Sequence, residues 1–119
     1  MKNELNQMLS NFYQSAMNDT EIGHYFASFN DPEKLQRHLV QLTEFWCRVL
    51  GLPGFYQGDP FRIHQQLNAQ SPFSPNHFHR WLLLFGQSAD QYLEPVVAAE
   101  IKDRAKNIAL GFSQRFCGA

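Results

Sequence analysis

From Leu5 onward the apolar positions return every third or fourth residue: Leu5, Met8, Leu9, Phe12, Tyr13, Ala16, Met17. That period marks one face of an amphipathic helix and puts Tyr13 on the inward stripe. Asn18-Asp19-Thr20 interrupts it. Thr20 is placed to cap a short second helix, whose Ile22, Tyr25, Phe26 and Phe29 form an apolar patch before a turn at Asn30-Asp31. Asp31-Pro32-Glu33 combines a capping residue, a first-turn proline and an early acid, which opens a helix. Its stripe reads Leu35, His38, Leu39, Leu42, Phe45, Trp46, Val49, so a histidine faces inward. Gly51, Pro53 and Gly54 end it in a loop.

Asp59-Pro60 repeats the cap and first-turn proline. Phe61, His64 and Leu67 follow at intervals of three and share a face, bringing a second histidine inward. Asn68 to Phe73 reads as irregular, and Ser74-Pro75 opens a long helix striped by Phe78, Trp81, Leu82, Phe85 and Tyr92. Pro95 breaks that helix, because the residue before a proline is driven out of the helical region. It also starts the last helix: Val97, Ile101, Ala105, Ile108, Phe112, Phe116. No segment alternates with period two, and there is no repeat or low-complexity tract. The prediction is an all-α domain of five or six helices.

Length and composition sharpen this picture. A chain of 119 residues suits one domain, 1–119, with one core. Eleven phenylalanines and 14 % aromatic residues mean either a dense core or a cavity walled with rings. The net charge of −1, without a Lys/Arg run, gives no footprint for nucleic acid. The polar N-terminus lacks a leader's apolar region and no stretch is long enough to span a bilayer, so a cytoplasmic location is expected. Cys47 and Cys117 form no CxxC and are expected to stay reduced, Cys47 off the apolar stripe and Cys117 near a frayed terminus. No CxxCH is present, which excludes c-type haem attachment.

Four polar side chains from four helices therefore point inward: Tyr13, His38, His64 and Trp81. Two inward histidines are hard to satisfy by packing alone in so small a domain. A metal cofactor between them is an economical account, since neutral imidazole is the commonest protein metal ligand. A bare zinc site needs about four ligands, and the carboxylates fall on caps or outer faces. Haem needs only one protein ligand and a large apolar pocket. His77 and His79 fall near the first turns of the Ser74 helix, with surface or supporting roles, and His24 is left unassigned.

Taken in order, Asn11-Phe12-Tyr13, Ile22-Gly23 with Phe26, His38 with Phe45-Trp46, Tyr56-x-Gly58-x-Pro60-x-x-x-His64 and Phe78-x-x-Trp81-Leu82-x-Leu84-Phe85 resemble the truncated haemoglobins, group III in particular. The resemblance runs over roughly residues 8 to 112 and rests on the order of its motifs. The absence of a Gly-Gly pair also fits group III, whereas a tryptophan at Trp81 is shared with group II. It implies a two-over-two helical sandwich around non-covalent haem b. His64 then stands at the proximal iron ligand, and Tyr13, His38 and Trp81 form the distal ligand cage. Phe26, Leu42, Phe45, Tyr56 and Phe78 surround the haem. Arg37, Arg62 and Tyr56 are candidates to meet its propionates, the alternative being that both arginines are solvated surface charges. The implied function is binding of O2 first, and of NO and CO, at a pentacoordinate iron. The same pocket suits nitric oxide oxidation or peroxidase-like turnover. Either would need an external reductase, because no GxGxxG motif follows a strand. The competing reading is a cofactor-free helical interaction or sensing module with structural histidines.

Overall fold

Local chemistry sets the helix boundaries of the computed structural model, which describes residues 1–118. Five α-helices run Lys2–Met17 (α1), Pro32–Val49 (α2), Pro60–Gln70 (α3), Pro75–Tyr92 (α4) and Pro95–Cys117 (α5), with a 3-10 helix at Gly23–Asn30. Four of the five begin with a proline, whose missing N–H costs nothing in the first turn. Asp31 Oδ1 accepts from the Glu33 N–H and Asp59 Oδ1 from the Arg62 N–H, so two helix starts are capped by side chains. After α2, Gly51 takes a left-handed φ of 78°, which a Cβ would disfavour.

The architecture is two-over-two. α1 pairs with α2, α4 pairs with α5, and α1 crosses α4 at the centre. Leu5, Met8, Leu9, Phe12, Phe85 and Ile101 fill that crossing. Ala16, Ala89, Ala98 and Ala105, all sealed from solvent, let the backbones approach closely. Buried polar groups are paired: Ser88 Oγ donates to Asn11 Oδ1 at 2.8 Å, and Thr43 Oγ to the Leu39 carbonyl at 2.8 Å. No helix among the described residues is long and apolar enough to cross a membrane.

Four expectations change. Asp19, rather than Thr20, organises the turn after α1: its Oδ2 accepts from the Glu21 and Ile22 N–H groups while Oδ1 takes the Arg80 guanidinium at 2.7 Å. That hydrogen-bonded cation holds the Asp19 carboxyl below its ordinary range. The segment after residue 67 continues helical to Gln70. Cys47 belongs to the core at 1 % exposure, because α2 is buried on the side facing α1 as well as along the stripe carrying His38. Cys117 still lies within α5, its Sγ–H directed at the Phe73 carbonyl at 3.4 Å. Both thiols are free. Native-state thiol labelling is therefore expected to modify Cys117 well before Cys47, with Cys47 reacting only on unfolding and no disulfide found. Equal rates for the two would contradict the buried position of Cys47.

Candidate functional site

One cavity lies between α2 and α3 and is closed behind by α1, α4, α5 and the 3-10 helix. The space free of atoms in it and its open mouth together is about 1220 Å³. Its walls are almost wholly apolar. Tyr13, Phe26, His38, Leu42, Phe45, Tyr56, His64, Phe78 and Trp81, the nine side chains singled out above, all line it. Neither α3 nor the 3-10 helix has a single buried residue, although each turns apolar side chains to the cavity. α3 packs chiefly on α5, with no comparable contact to α2.

His64 is held by its own helix. Its Nδ1 donates to the Pro60 carbonyl at 2.7 Å, four residues back, and the ring rests on Phe112 with centroids 4.6 Å apart. The carbonyl can only accept, so the proton is on Nδ1 and the Nε2 lone pair is uncommitted. Burial pulls the imidazole below its ordinary pKa, against the opposing pull of that carbonyl, which favours the neutral ring. Phe61, expected on the same face, turns away. It stacks on Phe116 at 5.3 Å and lies under the Arg115 guanidinium at 4.5 Å, outside the cavity.

A polar trio occupies another part of the wall. The Tyr13 hydroxyl and His38 Nε2 are 2.7 Å apart. His38 is stacked on Phe29 at 4.4 Å, and Tyr13 meets Phe26 and Phe29 edge-on. Burial raises the Tyr13 phenol, so it stays protonated. Burial first, and the Lys34 charge second, lower His38 from 6.5 to about 4, so the ring is neutral at physiological pH. The Tyr13–His38 bond can then run either way, with the hydroxyl donating to Nε2 or Nε2–H donating to the hydroxyl oxygen. An acceptor in the cavity selects the second, which frees the phenol proton. Trp81 stacks on Phe85 at 4.9 Å and meets Phe12 edge-on. No fully buried polar side-chain atom lacks a partner among the described residues, so Trp81 Nε1–H, which makes no hydrogen bond among them, is not fully buried, and its side chain lines the cavity.

The His38 environment has a consequence for stability. Protonating His38 is harder in the native chain than in the unfolded one, so its contribution is complete above 6.5 and is lost as pH falls toward about 4. His38→Leu should flatten this part of the acid limb in urea unfolding, and His64 leaves a residual dependence of the same sign. An unchanged acid limb in the variant would show that His38 is not the titrating group.

Two features lay beyond sequence reasoning. His77 Nδ1 accepts from the Ser74 N–H at 3.0 Å, which fixes its proton on Nε2, and the ring lines the cavity. The Ser74-Pro75 start signals the cap, but only the packing of Tyr25 beside it shows which way the ring faces. The Tyr25 hydroxyl donates to the Ser71 carbonyl at 2.9 Å, tying the 3-10 helix to the connection between α3 and α4. His24 stacks on Tyr25 outside the cavity, and His79 is exposed. At Gly58, a Cβ would collide with the Tyr56 ring folded over it, so the glycine lets Tyr56 reach the cavity.

The residues fit a large, flat, apolar group with a metal at its centre. They provide one imidazole lone pair, a half-buried apolar surround, and O–H and N–H donors. No group of three or more His, Cys, Asp or Glu among the described residues can hold a bare metal ion.

No family model matches the chain. The group 3 truncated hemoglobin ctb of Campylobacter jejuni is 29 % identical over 108 residues, covering 89 % of this chain and 83 % of that protein. The crystal structure of group III truncated hemoglobin from Campylobacter jejuni superposes with a TM-score of 0.87 at 25 % identity, over 98 % of this chain and 91 % of the other. In sequence and in fold, along nearly its whole length, the chain is similar to group III truncated haemoglobins.

Proposed function

We propose that this protein holds a non-covalent haem b between α2 and α3 and reversibly binds O2, with NO and CO as further ligands. The observation that carries this reading is His64: Nδ1 is tied to the Pro60 carbonyl and Nε2 is left free in an apolar cavity. When bound, haem supplies an iron with a coordination position for a diatomic ligand. His64 Nε2 would hold that iron from one side. Phe26, Leu42, Phe45, Tyr56 and Phe78 would cover the ring and exclude water. Tyr13, His38 and Trp81 would meet the ligand with O–H and N–H donors.

Preorganised donors favour a ligand that gathers negative charge, which suits O2 and also suits redox turnover. Nitric oxide oxidation or peroxidase-like activity is thus the second activity this pocket supports, with electrons supplied from outside. The test is the absorption spectrum of the purified protein. A Soret band that moves on addition of CO, from a haem extractable into acidified organic solvent, is expected. A protein that remains colourless after haemin is added would instead be the cofactor-free module.

A further inference from the structure

A haem brings two carboxylates to this cavity, and few groups on the wall can receive them. No Lys or Arg among the described residues lines it, and Arg37 and Arg62 are exposed. Beyond His64 and the trio of Tyr13, His38 and Trp81, the polar side chains of the wall are Tyr25, Trp46, Tyr56 and His77. The Tyr25 hydroxyl is committed to the Ser71 carbonyl at 2.9 Å. Trp46 is 4 % exposed, where a charged group would lose nearly all of its water. Burial, and after it the Asp59 charge, raise the Tyr56 phenol. A carboxylate placed at Tyr56 would be repelled by that same charge.

His77 is differently placed. The rings beside it belong to Tyr25 and His24, with centroids 5.4 and 6.1 Å away, and neither is an acid. The ring is half-buried and His24 is exposed, so a carboxylate received here keeps contact with water. His77 is also the third residue after the Ser74 N-cap, where a glutamate or glutamine ordinarily closes a capping box. A glutamate there would accept from the Ser74 N–H and offer no donor. The imidazole accepts at Nδ1, 3.0 Å away, and carries its N–H on the other side of the ring at Nε2. That Nε2–H makes no hydrogen bond among the described residues. The bond to the backbone fixes both tautomer and ring, so the donor is set before anything binds.

We propose that His77 Nε2–H receives one of the two haem carboxylates. This rests on the haem reading above. The bond is charge-assisted and anchors one edge of the ring, while His64 holds its centre.

Two substitutions keep the cap and differ at the far end of the side chain. His77→Gln retains an N–H donor, whereas His77→Glu sets a second carboxylate against the first. Each is loaded with iron protoporphyrin IX or with its dimethyl ester, whose carboxylates are masked. The readout is the rate of transfer to excess apomyoglobin, at mildly alkaline pH so that the introduced glutamate is ionised. His64 is intact in both variants, so both still bind haem. His77→Glu should lose protoporphyrin haem about tenfold faster than the parent, and His77→Gln should stay close to it. With the ester, His77→Glu and His77→Gln should release at the same rate. The proposal is overturned if the two variants release protoporphyrin haem alike, or if the ester shows the same difference between them as protoporphyrin haem does. A failed haem reading looks different, since the Soret band would then be missing from the parent protein as well.

Discussion

Replacing His64 with alanine should leave the protein unable to retain haem. Nothing else in the cavity offers an equivalent lone pair. His38 Nε2 is paired with the Tyr13 hydroxyl, and His77 carries its proton on Nε2 because its Nδ1 accepts from the Ser74 backbone. Loss of a partner behind a ligating histidine commonly costs about 10–100-fold in metal affinity, and loss of the ligand itself must cost more. The apolar wall would still attract the ring, so the defect should appear as rapid transfer of haem to excess apomyoglobin rather than as failure to fold. His77→Ala is the informative companion and should keep its haem. If the two variants exchanged behaviours, the iron ligand would have been assigned to the wrong helix.

Tyr13→Phe should speed O2 release and change CO release much less. The substitution keeps the ring and its edge contacts with Phe12, Phe26 and Phe29 and removes only the hydroxyl. A hydrogen bond to a charged or strongly polarised acceptor is worth roughly 1.5–3 kcal/mol, or about one to two powers of ten in affinity, and such differences fall mostly on the off-rate. Bound CO gathers less negative charge than O2 and so gains less from a donor. Trp81→Phe should act in the same direction, since the indole N–H has no protein acceptor competing for it. Stopped-flow release of both gases from both variants decides the question. Small and equal changes for O2 and CO would make the trio packing and not a ligand cage.

How much of this was legible beforehand depends on the range of the interaction. Helix starts at Pro32, Pro60, Pro75 and Pro95 could be read directly, because a cap and a first-turn proline act within three or four residues. The inward direction of Tyr13, His38, His64 and Trp81 was also legible, since helical period alone determines which residues share a face. The order of the motifs carried the family resemblance, and fold comparison agrees with it at a TM-score of 0.87.

Other features needed the tertiary structure because they join residues distant in sequence. The Tyr13–His38 hydrogen bond spans 25 positions, and periodicity says that both face inward without saying that they meet. Phe61 shares a stripe with His64, yet Phe116 and Arg115 of α5 draw it to the outer side. Cys47 is buried because α2 is covered on two sides, which one apolar stripe cannot reveal. His77 reads from sequence as a first-turn residue with a surface or supporting role, and only the fold of the 3-10 helix against α4 makes its ring part of the cavity. A helix's period determines which side chains share a face, but what that face meets is decided by packing against helices far along the chain.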